Sequence, residues 1–91
     1  PQIYFWRDVQ GHEIDCVIEK SLGHTIPIEI KAGKTIGADF FKGLIDWQTI
    51  TDQNEVQSYL VYGGNELITH KHGRIFAWNS IEKMLNEIYS R

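Results

Sequence analysis

Residues 12–35, HEIDCVIEKSLGHTIPIEIKAGKT, decide how the rest of the chain is read. From His12 to Glu19, Ile14, Cys16 and Ile18 alternate with Glu13, Asp15 and Val17. From His24 to Ala32, Ile26, Ile28 and Ile30 alternate with Pro27, Glu29 and Lys31. A period of two is the mark of half-buried antiparallel strands, because successive side chains leave a strand on opposite faces. Reading Ser21-Leu22-Gly23 as a three-residue hairpin loop puts Gly23 where such loops need a left-handed residue. That register sets Asp15 opposite Glu29 and Glu13 opposite Lys31, all on one face. Directly opposed residues have Cβ atoms about 4.5–5.5 Å apart, so two carboxylates there repel unless a cation sits between them. Hard divalent ions such as Mg²⁺ or Mn²⁺ bind one or two carboxylates with waters and substrate phosphates. Lys31 stands on the rim of the same site, where an ammonium orients water or stabilises charge developing on a phosphate. A plainer reading stays open beside this one: a solvated hairpin face with a Glu13–Lys31 cross-strand ion pair. A loop register shifted by one residue separates Asp15 from Glu29.

Working outward, residues 3–8 (IYFWRD) form an aromatic-rich strand that turns at Gln10-Gly11 into residues 12–19. Beyond Gly33 the period changes. Phe40, Phe41, Leu44, Ile45 and Trp47 recur at helical spacing across 38–49, with Lys42 and Asp46 outward. Gly43 costs that helix about 1 kcal/mol against Ala, which points to a close packing contact. Residues 56–62 (VQSYLVY) read as a strand closed by Gly63-Gly64, and 67–71 with 74–78 as a weaker pair turning near His72-Gly73. Asn79 or Ser80 is placed to cap a last helix over 81–89, with Ile81, Met84, Leu85 and Ile88 as its apolar stripe. The order is βββ-α-β-(ββ)-α in one domain spanning 1–91: an α/β fold, a mixed sheet with flanking helices.

Composition bounds what this domain does. Its 91 residues, 42% hydrophobic and 23% charged, are ordinary globular material. A net charge of −3 argues against an autonomous nucleic-acid binder, since cation contacts supply most non-specific affinity. No apolar run is long enough for a membrane span, and no signal-peptide pattern is present. The single Cys16 fits a reducing cytoplasm. The chain begins at Pro1 and enters a strand at once, which reads as a piece of a longer protein, and an edge bared there is a route to a homodimer.

Asp15 followed by Glu29-Ile30-Lys31 resembles the PD-(D/E)xK nuclease superfamily. The ordered set Tyr4-Phe5-Trp6-Arg7, Gly11-His12-Glu13-Ile14-Asp15, Ile26 to Thr35, Lys42-Gly43-Leu44, Leu60-Val61-Tyr62-Gly63-Gly64 and Trp78 is similar to the DUF4143 domain, over nearly the whole chain. That resemblance implies a restriction-endonuclease-like fold, forming the C-terminal part of a bacterial or archaeal AAA-type ATPase. It implies Asp15 and Glu29 as metal ligands for Mg²⁺ or Mn²⁺, the carbonyl of Ile30 as a further ligand, and Lys31 as the catalytic lysine. Glu13 matches an acidic position usual in these domains. The expected activity is metal-dependent phosphodiester hydrolysis of DNA by the full-length protein, with an ATPase domain upstream. The alternative is a non-catalytic accessory or interaction module of that ATPase. A helix before the first strand, often carrying another acidic residue in the superfamily, is not in this chain.

Other residues divide between chemistry and packing. Gln48 lies where some superfamily nucleases use a Gln, although a polar helix-face residue is the commoner case. His70 and His72 share a strand face with metal-ligand character, but Lys71 and Gly73 beside them favour an exposed hairpin tip. Cys16 belongs with the apolar face. Tyr4, Phe5, Trp6 and Trp78 are able to stack bases, with core and sheet packing the default. No G-x-x-x-x-G-K-[ST] phosphate loop occurs.

Overall fold

The computed structural model describes residues 2–37, 39–52 and 57–90. Six strands, β1 (Gln2–Arg7), β2 (Glu13–Ser21), β3 (His24–Lys31), β4 (Tyr59–Tyr62), β5 (Ile68–His70) and β6 (Gly73–Ala77), form one mixed sheet in the order β1-β2-β3-β4-β6-β5. The first three make the expected antiparallel meander. Helix α1 (Lys42–Thr51) carries the chain from β3 to β4, which pairs parallel to it. β6 pairs parallel to β4, with β5 on the outer edge. Helix α2 (Ile81–Tyr89) follows a single 3-10 turn, Trp78–Ser80. This is a mixed α/β sheet with two helices.

The helices lie on opposite faces, and strand alternation shows it. Leu60, Tyr62, Ile75 and Ala77 pack with Leu44 and Trp47 of α1 and with Phe41, just before it. Their neighbours Tyr59, Val61 and Phe76 pack with Met84 and Ile88 of α2. Because β3 sits between β2 and β4 with a helix on each side, it is buried from Thr25 to Glu29. The half-buried character expected for this strand gives way to two-sided burial, since sheet position rather than local sequence decides burial.

Strict alternation also fails in β2. Ile14 does not share a face with Cys16 and Ile18; it joins Val17 in the α1-side core. The cause is a β-bulge. Trp6 pairs with Ile14 but Tyr4 pairs with Val17, so β2 fits one extra residue against β1 at Asp15–Cys16, and the bulge turns Ile14 over.

Several expected boundaries shift. The first helix begins at Lys42, after turns at 39–41, and Ala38 lies outside the described residues. The fourth strand starts at Tyr59, and Val56 lies outside the described residues. Ser80 takes the N-cap position of α2 without a capping side-chain bond, as the preceding 3-10 turn leads directly into the helix. Of the apolar stripe, Met84 and Ile88 are buried, while Ile81 is exposed. No helix among the described residues is long and apolar enough to cross a membrane.

Candidate functional site

The β2–β3 hairpin keeps the expected register: Cys16 pairs with Ile28, Val17 with Pro27, Ile18 with Ile26 and Glu19 with Thr25. Gly23 is left-handed, with φ of 79°. The loop is shorter than three residues. Ser21 already pairs with His24 through an irregularity after Glu19, which absorbs the extra residue and preserves the register above it.

At the other end of the hairpin the ladder stops at Cys16–Ile28, and side chains take over. The Ile30 N–H donates to Asp15 Oδ2 at 2.8 Å, and the Asp15 N–H donates to Glu29 Oε1 at 3.3 Å. Each carboxylate thus satisfies a backbone donor of the opposite strand where the strands part. The geometry holds Asp15 and Glu29 together and leaves both main chains satisfied.

Glu29 is 6% exposed. Burial and then the neighbouring Asp15 carboxyl, through hydrogen bonding and charge, push its pKa up to about 7; the Asp15 N–H and the Lys31 ammonium pull the other way less strongly. Its second oxygen lies against Gly43 near the start of α1, so closely that a Cβ at Gly43 would collide with it. The glycine expected to mark a close contact does so, and the contact is with the candidate ligand itself.

Glu29 opens onto a cleft of about 320 Å³, whose walls also carry His12, Glu13, Lys31, Asp39, Lys42 and Asp46. Asp15 is not among its walls; it is exposed, with its Oδ2 accepting the Ile30 N–H. Glu13 does not pair with Lys31. It faces Arg7 across β1–β2 at 3.6 Å, because Arg7 is its register partner there. Gln48 stands apart, donating to Ser58 Oγ at 2.6 Å and so tying α1 to the start of β4. Ile30 has its side chain in solvent.

Sequence reasoning missed several residues of the cleft. Lys42 and Asp46, outward on the helix by their spacing, form an i,i+4 ion pair at 3.1 Å on the wall. His12 is fixed by Asp8, whose Oδ2 is 2.8 Å from the imidazole Nδ1 and whose Oδ1 accepts the N–H groups of Gln10 and His12. Burial pulls the Asp8 carboxyl upward, but these hydrogen bonds and the imidazole charge outweigh it and leave it below its ordinary value. The signal was present in the spacing Asp8-x-Gln10-Gly11-His12, an Asp folding a tight turn back on itself.

Outside the cleft, His70 stacks on Phe41 with ring centroids 4.3 Å apart, and His72 lies 5.9 Å from the same ring. Both sit at the β5–β6 turn, His70 exposed and His72 half-buried. Cys16 is half-buried beside the α2-side core, and burial followed by the Asp15 charge pushes its thiol up, away from reactivity.

Two carboxylates and a main-chain carbonyl are hard oxygen donors of the kind Mg²⁺ and Mn²⁺ take, with the remaining positions left to water or phosphate. Among the described residues, no group of three or more His, Cys, Asp or Glu side chains is arranged to hold a metal. A metal held by Asp15 and Glu29 would have to take most of its shell from solvent and substrate. The two residues do not fit one needing an all-protein cage.

Compared with known proteins, residues 1–81 match the family model described as a domain of unknown function, DUF4143. No curated protein and no solved structure matches the chain.

Proposed function

Because this chain belongs to the DUF4143 family, whose description assigns no activity, we propose from its own residues that it is the metal-binding part of a PD-(D/E)xK-type phosphodiesterase acting on DNA. The observation that carries this reading is the buried Glu29 carboxyl held against Asp15 with its pKa near 7. Carboxylates perturbed in this way cluster at functional sites, and a divalent cation would relieve the pair.

Asp15 and Glu29, with the Ile30 carbonyl, would hold Mg²⁺ or Mn²⁺. When bound, such an ion polarises a phosphoryl oxygen and lowers the pKa of a coordinated water. Lys31 follows Glu29 by two residues along β3 and lines the same cleft, where its ammonium stabilises charge developing on the phosphate. Lys42 adds a second cation to that wall, and Glu13, Asp39 and Asp46 offset both. The balance accords with the net charge of −3: a phosphate enters this cleft only with a metal to neutralise it. Glu13 has a supporting part in this scheme through the Arg7 pair, while Gln48 acts on the fold through the Ser58 bond.

The wider reading is a restriction-endonuclease-like fold at the C-terminal side of an AAA-type ATPase in the cytoplasm, reaching DNA through the full-length protein. A second copy would pair along the β1 edge, where Ile3 and Phe5 are exposed. A second reading, a non-catalytic accessory module of that ATPase, is favoured by the acidic cleft and by the two-carboxylate ligand set.

Calorimetric titration of Mn²⁺ and Mg²⁺, paired with hydrolysis of several DNA forms by the full-length protein, separates the two. The nuclease reading expects divalent binding that disappears in Glu29→Ala. It also expects hydrolysis to fall by about 100-fold or more in Lys31→Ala. Hydrolysis that survives both Asp15→Ala and Lys31→Ala sinks the mechanism, and no divalent binding in the full-length protein leaves the accessory module.

A further inference from the structure

Of the protein's three tryptophans, Trp47 is buried in the α1-side core and Trp6 is half-buried against it, whereas Trp78 is 62% exposed. Trp78 is the first residue after β6 and forms one side of a cleft of about 540 Å³, lined also by Lys34, Tyr62, Asn65 and Glu66. Packing, the default reading for this ring, is not what the fold does with it.

The cleft is firmly built. Gly63 donates its N–H to the Gly33 carbonyl at 2.9 Å, bringing the loops after β3 and β4 together, and a side chain at Gly63 would strike the Ala32 carbonyl. The Tyr62 hydroxyl accepts the Glu66 N–H at 3.0 Å and holds the far end of the second loop. The loops that flank Trp78 are thus tied to each other and to the sheet, which lowers the entropy lost when a ligand is bound.

The chemistry around the ring is that of a nucleotide. An exposed indole face stacks a base of any sequence, an amide such as Asn65 offers a donor and an acceptor to a base edge, and Lys34 offers a cation to phosphate. Position adds to this. β3, β4 and β6 run parallel, Lys31 pairs with Tyr62 and Tyr62 with Ala77, so the chain leaves all three strands at one rim, where open α/β sheets bind their ligands. Trp78 follows Ala77 two strands from Lys31, a separation of about 10 Å at the usual spacing between strands. At the duplex rise of about 3.4 Å per nucleotide that is about three nucleotides, and an unstacked single strand, being more extended, covers it in fewer.

We propose that the Trp78 cleft is a nucleobase subsite: an unpaired DNA base stacks on the indole while the same strand's phosphate, at most about three nucleotides away, lies at the Glu29–Lys31 cleft. This rests on the DNA reading above and specifies its substrate as single-stranded or locally opened DNA. The competing occupant of an exposed Trp cleft is a protein surface.

The test is binding without cleavage. A short fluorescein-labelled oligothymidylate is titrated into the full-length protein at low salt with Ca²⁺ in place of Mg²⁺, reading anisotropy and tryptophan emission. The expected result is quenched emission and a Kd that rises by about 10-fold or more in Trp78→Ala, with Trp78→Phe recovering most of it. Lys34→Gln should reduce the salt dependence by about one ion. Trp78 is exposed, so thermal unfolding of Trp78→Ala should match the parent. Unchanged affinity in Trp78→Ala overturns the proposal, as does an absence of oligonucleotide binding by the full-length protein. Loss of self-association in Trp78→Ala with DNA binding intact overturns it in favour of a protein partner. Glu29→Gln and Lys31→Ala weaken the phosphate end, and in each background Trp78→Ala should still cause a further loss of affinity. If hydrolysis is absent while Trp78-dependent binding persists, the phosphodiesterase reading fails alone. If hydrolysis is present and Trp78→Ala alters neither affinity nor cleavage, the base subsite fails alone.

Discussion

Glu87 on α2 and Glu29 on β3 are both withdrawn from solvent, and their surroundings are opposite. Arg74 of β6 grips Glu87 with two guanidinium nitrogens, Nε at 3.0 Å, and lies 5.4 Å from the Phe76 ring centroid. The charges match, and the pair ties α2 to the sheet. Glu29 meets another carboxylate instead, with one lysine two residues on as partial relief. One region spends its charges on holding the fold. The other keeps a charge conflict only partly relieved at the rim of the sheet, and such conflict is what functional sites tolerate.

Titration gives the largest way to break this comparison. The folded-state pKa of Glu29 is raised from 4.5 to about 7, so the folded protein binds a proton more tightly than the unfolded one. Stability contributed by that proton is fully present below about pH 4.5, declines as pH rises, and is gone above about pH 7. The full swing is at most about 3–4 kcal/mol. Urea unfolding across pH 5–8 should show the slope in the parent and little of it in Glu29→Gln. Saturating Mg²⁺ at pH 8 should restore stability to the parent alone. An equal slope in both proteins would remove the argument for a strained carboxylate pair.

The matched pair should behave otherwise. Its side chains are about one-fifth exposed, between a surface bridge and a buried one, so Arg74→Leu is expected to cost about 2 kcal/mol. The loss should be the same at pH 6 and pH 8 and leave divalent affinity untouched; a change in metal binding would show that the two regions are not independent.

Gly43→Ala sharpens the comparison from the helix side. The added Cβ meets Glu29 Oε2, and overpacking of this kind costs about 1–3 kcal/mol. In a Glu29→Ala background the cost should shrink, a coupling that a double-mutant cycle reads directly. Additive costs would mean that Gly43 is there for the helix, not the site.

The smallest effect is expected at Gln48. Removing its bond to the buried Ser58 should lose about 1 kcal/mol in Gln48→Ala and leave divalent binding unchanged. A weakened metal titration would return Gln48 to the site.

The legible part of this protein is local. Alternation and a turn glycine place β2, β3 and their register, because Gly23 accepts a left-handed φ and the hairpin then has little freedom. The same register brings Asp15 and Glu29 together, and Gly43 signals its close contact by being a poor helix residue. What misled was the assumption of unbroken alternation. Ile14 crosses to the other core because β1 forces a bulge on β2, and the pressure for that bulge comes from a partner strand.

The cleft walls were illegible for a related reason. His12, Asp39, Lys42 and Asp46 come from a turn, a loop and a helix that meet only after α1 has crossed the sheet. Trp78 looked like core because aromatic residues usually are; only the path of the chain out of β6 leaves it in solvent.

The sequence by itself therefore determined the elements, the β2–β3 register and the pairing of two acids, since these depend on neighbours along the chain and on one short turn. The tertiary structure decided how deeply Glu29 is buried, which charges surround it and which aromatic ring stays exposed. Those depend on sheet order and helix placement, where residues far apart in the chain set each other's access to water, and access to water fixes what a carboxylate can do.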